Sequence, residues 1–154
     1  MGISRALFSS HKSEWETPPE LFNPLNDEFH FTLDVCATPL NTKCQSFYTK
    51  QTNGLVRPWT GTCWCNPPYG REIAKWTQRA ALRTATTTVL LIPARTDTKW
   101  WHDHIMAANE IHLIKGRVRF LINGKPAPYP APFPSAIAVF RKTRTQLKVS
   151  SYER

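Results

Sequence analysis

The sequence has no run of about 18 apolar residues, so it predicts no transmembrane helix. Residues 1–12 lack the apolar core of a signal peptide, and we therefore expect a cytoplasmic protein with no membrane partner. Cysteine is scarce, and the four that are present form no CxxC pair: Cys36, Cys44, Cys63 and Cys65. This pattern favours reduced thiols over a zinc site, and a site completed by His102 or His104 is disfavoured because histidines two apart on a helix diverge. The sequence therefore predicts no metal.

Acidic residues are few relative to basic ones. The 154-residue chain has 11 Asp and Glu residues against 20 Lys and Arg residues, for a formal net charge of +9. This surplus indicates a polyanionic partner, most simply nucleic acid, although many small proteins are basic for solubility alone. The length suits one domain that is large enough to bury a core.

Alternating apolar patterns predict an α/β chain. Strands are expected at 29–36, 62–65, 87–92, 110–114, 118–122 and 136–140, with helices after Thr17, at 72–83 and from residue 96 or 97 to 107. Turns are expected at 53–54 and 123–124. Strands that alternate with helices imply a mostly parallel sheet, to which the last strands add an antiparallel edge.

The two ends of the chain are expected to lie outside the folded domain. We predict a flexible N-terminus at 1–12, one domain at 13–141 and a frayed basic tail at 142–154. The first helix should begin with Thr17 as N-cap and Glu20 closing a capping box, and Pro24 should shorten or kink it.

The most informative motif is Asn66-Pro67-Pro68-Tyr69, which follows the predicted strand at 62–65 and precedes Gly70. The Asn66 side-chain carbonyl and the Pro67 backbone carbonyl can accept hydrogen bonds from a planar amino group. Prolines carry no competing N–H and hold the backbone stiff, and Tyr69 offers a flat face for an extruded base. This arrangement suits attack of an amino nitrogen on a methyl sulfonium, whereas the plain alternative is an ordinary turn.

Three segments end at one rim of the predicted sheet. Asp34, Asn66 and the 93–95 segment all fall at the ends of predicted strands. Ligands of open α/β sheets bind beyond the carboxyl ends of the strands, so the rim is the expected site.

Several ordered stretches resemble one family, and they run from about residue 13 to residue 140. They lie at 14–18, 31–37, 53–55, 64–70, 91–98, 100–101 and 132–135. Together they resemble the phage-type, Dam-like DNA N-6-adenine methyltransferases. The resemblance implies a three-layer class I methyltransferase (Rossmann-like) fold, S-adenosylmethionine as methyl donor and adenine N6 in DNA as acceptor. It also implies a bacteriophage protein acting in the host cytoplasm, with protection from restriction as a role.

The resemblance assigns roles to residues of this chain. Asn66, Pro67, Pro68 and Tyr69 match the catalytic motif, and the cofactor would be bound by Asp34, Thr17, Pro18, Trp15 and Asn53. For Trp15, core packing is the alternative, and for Asp34 a turn or cap. Two departures stand out: the loop at 34–39 contains no glycine, and Asn53 replaces an expected acid.

Nucleic-acid contacts are expected from loops, because the chain is too short for a separate recognition domain. The candidates are Arg71, Arg95, Lys115, Arg117, Arg119 and Lys125, each of which could instead be a solvated charge. Arg95 could also hold Asp97. Cytosine N4, RNA adenine or a protein glutamine remain alternative acceptors, and an inactive nucleic-acid-binding module remains an alternative to an enzyme.

Overall fold

The computed structural model describes residues 15–153, so the predicted flexible segment at 1–12 lies outside it. The helices are α1 (Pro19–Phe29), α2 (Ile73–Ala81) and α3 (Lys99–Asp103), with 3-10 turns at Gly54–Val56 and Ile105–Ala107. The strands are β1 (Trp15–Glu16), β2 (Leu33–Asp34), β3 (Thr62–Cys65), β4 (Thr87–Pro93), β5 (Glu110–Ile114), β6 (Leu121–Ile122), β7 (Lys125–Pro126), β8 (Ser135–Arg141) and β9 (Lys148–Tyr152). The α/β class is confirmed.

The main sheet has six strands in the order β2-β3-β4-β8-β5-β9. It is mixed: β2-β3, β3-β4 and β5-β9 are parallel, whereas β8 is antiparallel to both β4 and β5. The predicted antiparallel edge is therefore wrong, because the antiparallel strand lies inside the sheet. The physical reason is the apolar sequence at 136–140. An edge position would expose these side chains, whereas inside the sheet every residue from 135 to 140 is buried.

The core of the sheet is the pairing of β4 with β8. Their register joins Thr87 to Arg141 at one end and Pro93 to Ser135 at the other. The apolar run in β4 is buried throughout from Thr88 to Pro93, as its continuous apolar pattern predicts. On one face of the sheet, the Phe22 ring of α1 meets the Trp64 ring of β3 at 5.2 Å.

The strand predicted at 29–36 is only partly present. Helix α1 continues through Pro24 to Phe29, and β2 covers two residues. The helix buries Leu21 and Leu25, four residues apart on one face, and this burial outweighs the hydrogen bond that Pro24 removes.

The start of α1 also differs from the prediction. Its N-cap is Pro18 in an extended conformation, and no side chain caps the helix. The predicted capping box of Thr17 and Glu20 is therefore wrong. The Thr17 hydroxyl is used elsewhere, against Asn66.

A second, small sheet brings the N-terminal part of the described chain to the motif. Its order is β1-β6-β7, and Trp15 lies opposite Ile122. The turn predicted at 123–124 is confirmed as the hairpin between β6 and β7, and the Gly124 N–H donates to Glu16 Oε1 at 3.2 Å. Strand β1 was not predicted, because two residues carry no periodicity.

The basic tail contributes a strand to the main sheet. Residues 148–152 form β9, which runs parallel to β5 with Glu110 opposite Lys148 and Ile114 opposite Tyr152. The predicted fraying is therefore wrong for this stretch. The local sequence gives little sign of it, because Lys148, Val149 and Ser151 are exposed at the sheet edge.

Candidate active site

Asn66 lies directly after β3, at the carboxyl rim of the parallel strands, and its side chain is half-buried. The Nδ2 group donates to the Trp15 carbonyl at 3.2 Å and to the Thr17 hydroxyl at 3.1 Å. Both donors of the amide are therefore engaged by the segment that joins β1 to α1. The amide oxygen Oδ1 is left to accept hydrogen bonds, as the motif predicts.

The two prolines carry the chain away from Asn66. Pro67 is buried and Pro68 is half-buried. Within residues 15–153, no group donates a hydrogen bond to the Pro67 carbonyl. A second acceptor therefore stands next to the Asn66 side chain along the chain, with no N–H of its own to compete.

Tyr69 belongs to an aromatic cluster that it forms with Trp15, Phe120 and Phe133. Its ring is steeply inclined to all three, with interplanar angles of 77–81° and centroid distances of 5.5–6.0 Å. Only 8% of Tyr69 is exposed, so the flat stacking face expected from the sequence is covered in this structure. Burial among these rings is the reason.

The Tyr69 hydroxyl points back to the motif. It lies 3.3 Å from Asn66 Oδ1 and 3.2 Å from the Leu91 carbonyl, and it can donate to either acceptor. Burial raises the pKa of Tyr69 well above its usual range, so the hydroxyl keeps its proton. Tyr69 thus ties the motif to β4, and a ligand bound at Oδ1 would leave the Leu91 carbonyl as its partner.

Asp34 ends β2 at the same rim, in register with Trp64, and only 2% of it is exposed. Its Oδ1 accepts from the Cys36 N–H at 3.3 Å and its Oδ2 from the Lys43 N–H at 2.9 Å. The carboxylate therefore organises the loop that follows β2. A contact between this carboxylate and a cofactor stays a prediction.

Burial has a measurable consequence at Asp34. Desolvation raises its pKa from 3.8 to about 6, against the opposing effect of the two N–H groups. The folded state therefore binds a proton that the unfolded state releases between these two values, and stability falls as the pH rises through this window. A shift of this size corresponds to about 3 kcal/mol.

We therefore predict that the free energy of unfolding of the wild-type protein, compared with Asp34→Asn, will fall by about 3 kcal/mol between pH 3 and pH 7. Urea denaturation of both proteins at several pH values measures the difference. Other titrating groups are common to both proteins and largely cancel. A difference that does not change with pH would contradict the burial argument.

Asn53 caps the 3-10 turn at Gly54–Val56 in a left-handed conformation, and its Oδ1 accepts from the Leu55 N–H at 3.2 Å. Its side chain is exposed. Gly54 fits against the loop after β2 so closely that a Cβ there would lie 2.1 Å from the Val35 carbonyl oxygen. This contact brings Asn53 to the same end of the sheet as Asp34, and its predicted role toward a cofactor stays a prediction.

The predicted nucleic-acid contacts separate into two groups. Arg119 is committed to the proline-rich loop, because it donates to the carbonyls of Ala127 at 2.9 Å and Pro128 at 2.6 Å. Arg117 reaches the Ala131 carbonyl at 3.4 Å in the same loop. These two side chains hold the loop in place. Their guanidinium groups donate to backbone carbonyls, so their exposed charge is not by itself evidence of a phosphate contact.

The other candidates are exposed around the rim. Arg71 and Lys125 form no hydrogen bond or ion pair through their side chains within residues 15–153, and Lys115 pairs with Glu153 at 3.4 Å. Arg95 stands over the Phe133 ring at 5.6 Å rather than against Asp97. It therefore flanks the aromatic cluster.

Sequence reasoning missed three groups at the site. The Trp15 and Leu91 carbonyls are backbone atoms, which no side-chain pattern can reveal. Ser135 is 1% exposed and, within residues 15–153, its hydroxyl has no hydrogen-bond partner. It lies opposite Pro93, at the carboxyl end of β4. Its place in the matching stretch at 132–135 was the available signal.

The cysteines are all free thiols. Burial raises the pKa of Cys36, Cys44 and Cys63 to about 12, and that of Cys65 well above its usual range, so none is a ready thiolate. Among residues 15–153, no three His, Cys, Asp or Glu side chains are grouped so as to hold a metal ion. Nor does any helix in that range have the length and apolar character needed to cross a membrane.

The chain is similar in sequence to known proteins. A sequence profile described as DNA N-6-adenine-methyltransferase (Dam) matches residues 5–153, nearly the whole chain. The chain belongs to the DNA N-6-adenine-methyltransferase (Dam) family. The resemblance inferred from the sequence is confirmed, and membership of this family implies a methyl donor.

Two phage proteins, each named DNA N-6-adenine-methyltransferase, illustrate the similarity. The protein of Haemophilus phage HP1 (strain HP1c1) is 34% identical over 121 residues, which cover 74% of this chain and 69% of that protein. The protein of Escherichia phage T1 is 31% identical over 114 residues, or 71% of this chain. The match spans about half of the T1 protein, at 48% of its length.

Proposed function

We propose that this chain transfers a methyl group from S-adenosylmethionine to the N6 amino group of adenine in DNA. The observation that carries the proposal is the orientation of Asn66. Its Nδ2 group is held by Trp15 and Thr17, so Oδ1 is the end left to accept, beside the Tyr69 hydroxyl at 3.3 Å. The carbonyl of the next residue, Pro67, receives no hydrogen bond within residues 15–153. Acceptors on two consecutive residues suit the two N–H groups of an amine.

The chemistry follows from these acceptors. The lone pair of an amino group on an aromatic ring is delocalised, which makes the nitrogen a poor nucleophile. Hydrogen bonds from its two N–H groups to Asn66 Oδ1 and the Pro67 carbonyl favour the pyramidal form, in which the lone pair points out of the ring plane. The protein contributes position and electrostatics, and no covalent intermediate is required. The new N–C bond makes the nitrogen acidic, and its proton passes to solvent.

Asp34 fits the cofactor role that we assign to it. Each carboxylate oxygen accepts one backbone N–H, which leaves lone pairs for the hydroxyl or amino groups of the donor. S-adenosylmethionine supplies the electrophilic methyl group, and its sulfur keeps the electron pair when the bond to carbon breaks. Asn53 lies at the same end of the sheet, Trp15 and Thr17 contact Asn66 directly, and Pro18 follows them in the chain. We assign these residues to the cofactor as well. With this assignment we also propose that the mixed sheet and its helices represent the three-layer class I methyltransferase fold.

For DNA, we propose that the exposed cations at the rim neutralise backbone phosphates. Arg71, Arg95, Lys115 and Lys125 are the candidates, whereas Arg117 and Arg119 act by holding the loop at 127–131. The target adenine must leave the duplex stack to reach Asn66, as in other enzymes that modify a base. Because the aromatic cluster covers Tyr69, we expect Trp15 and Phe133 to move when the base enters.

The test is methyl transfer from labelled S-adenosylmethionine by the purified protein. We expect unmethylated double-stranded DNA to accept the label, and nucleoside digestion followed by mass spectrometry to identify N6-methyladenine. DNA, RNA and a glutamine-containing protein are offered in parallel. Label recovered as N4-methylcytosine, or on RNA or protein alone, would reassign the acceptor, and binding to DNA without any transfer would indicate an inactive binding module.

A further inference from the structure

We infer that Thr17 is a positioning residue: its hydroxyl anchors the Asn66 side chain in the orientation that the Trp15 carbonyl selects, with Oδ1 left for the substrate amine. The inference rests on the proposed function, since it concerns the same acceptor. Thr17 is 1% exposed and accepts from Asn66 Nδ2 at 3.1 Å. Neither the family similarity nor the helix-cap prediction assigns this role.

The orientation of Asn66 decides whether the residue can act. A side-chain amide has an acceptor end and a donor end of nearly the same size, so either end fits a given space. In the reversed orientation, Nδ2 would face the N–H groups of the substrate amine, and two donors cannot bond to each other. The reaction therefore needs a device that distinguishes the two ends.

The segment joining β1 to α1 supplies that device. The Trp15 carbonyl can only accept a hydrogen bond, so it bonds Nδ2 and opposes Oδ1. This carbonyl belongs to the backbone, so any residue at position 15 would provide it. The Thr17 hydroxyl can donate or accept, so it does not itself distinguish the two ends of the amide. It anchors the amide in the orientation that the Trp15 carbonyl selects, and unlike that carbonyl it depends on which residue stands at position 17.

The β6–β7 hairpin holds this segment in place. Trp15 and Glu16 pair with Ile122 and Leu121, and Glu16 Oε1 accepts from the Gly124 N–H at 3.2 Å. The position of β1 thus depends on a hairpin that is distant in sequence, since Glu16 and Gly124 are 108 residues apart. The two acceptors that face Asn66 depend on the same hairpin, because they lie in or next to β1.

The alternative is that Thr17 binds the cofactor directly. The two roles differ in what they change. Loss of a cofactor contact weakens cofactor binding, whereas loss of positioning lowers the rate of transfer from a bound complex and leaves cofactor affinity unchanged.

The experiment compares the wild-type protein with Thr17→Val and Thr17→Ser. Valine has nearly the same shape and lacks the hydroxyl, and serine keeps the hydroxyl and lacks the methyl. We expect kcat on DNA to fall roughly 10- to 100-fold in Thr17→Val and to stay within about 3-fold in Thr17→Ser. The dissociation constant of S-adenosylmethionine, measured by calorimetry, should stay within about 2-fold in both.

A second measurement is independent of activity. The side-chain NH₂ signals of Asn66, assigned by their loss in Asn66→Ala, should shift in the ¹⁵N–¹H spectrum of Thr17→Val and remain near their wild-type positions in Thr17→Ser. Thr17→Ala takes the place of the valine variant if the melting curve shows that the latter is unfolded. This spectrum tests the contact even if the wild-type protein transfers no methyl group.

Three results would overturn the inference. They are an unchanged kcat in Thr17→Val, a loss of cofactor affinity that accounts for the whole change in rate, and a serine variant as impaired as the valine variant. The last would indicate packing by the methyl group. By contrast, a wild-type protein that shows the expected Asn66 shifts and yet methylates nothing would reject the proposed function and leave the positioning contact standing.

Discussion

Replacing Asn66 with alanine is expected to lower kcat for methyl transfer to DNA by roughly 10²- to 10³-fold. The variant loses Oδ1, one of the two acceptors that we assign to the substrate amine. The Pro67 carbonyl is untouched, as is Asp34, which we assign to the cofactor. The affinity for S-adenosylmethionine should therefore remain close to that of the wild-type protein, and calorimetry beside single-turnover kinetics measures both quantities.

Asn66→Asp is the matched control, because it keeps an acceptor at the same place. Its second oxygen would face the Trp15 carbonyl, where Nδ2 now donates at 3.2 Å. Repulsion between these oxygens should displace the side chain, so we expect a rate between those of the wild-type protein and the alanine variant. If Asn66→Ala retains the wild-type rate with unchanged protein stability, the assignment of Oδ1 is rejected.

The motif at 66–69 could be recognised from the sequence because its residues are consecutive. Asn66 and Pro67 are adjacent in sequence, and the strand before them is evident from its apolar residues. What holds Asn66 was not predictable, since its partners Trp15 and Thr17 lie 51 and 49 residues away. Such contacts depend on how β1 returns over the sheet, and a two-residue strand leaves no pattern.

The difference between local and long-range contacts also explains the wrong predictions for Tyr69, β8 and β9. Burial of Tyr69 depends on three rings from distant segments, so a motif that suggests an open stacking face gives no warning of it. The internal place of β8 follows from the apolar run at 136–140 within it, which the order of elements alone does not reveal. Strand β9 is the opposite case, because its polar sequence suggests a tail and only its pairing with β5 makes it a strand.

Asn109 is the residue that fixes this C-terminal part, and Asn109→Ala is expected to lower the free energy of unfolding by about 3 kcal/mol. The side chain is 2% exposed and makes four hydrogen bonds. Nδ2 donates to the Thr143 carbonyl at 2.9 Å and to Thr145 Oγ1 at 2.8 Å. Oδ1 accepts from Arg83 Nη1 at 2.6 Å and from the Arg141 N–H at 2.8 Å.

Truncation to alanine leaves these partners without a hydrogen bond to the Asn109 side chain. The partners that stay buried account for most of the lost free energy of unfolding, because water cannot replace the missing bond there. The Asn109 backbone adds two further bonds, from its N–H to the Val139 carbonyl at 2.8 Å and to its carbonyl from the Lys148 N–H at 3.0 Å. Alanine retains both, so β9 should loosen rather than detach. Hydrogen exchange is expected to be faster at 148–152 than elsewhere in the sheet, and urea denaturation gives the global value.

Thr145→Ala is the control, because Thr145 is exposed and its loss removes only one of the four bonds. We expect it to lower the free energy of unfolding by less than about 1 kcal/mol. Asn109 precedes β5 and therefore lies at the end of the sheet opposite the rim that carries Asn66. Asn109→Ala should accordingly keep its cofactor affinity below its melting temperature. A variant that is as stable as the wild-type protein would show that the four bonds merely replace equally good bonds to water, and β9 would then be held by its pairing with β5 alone.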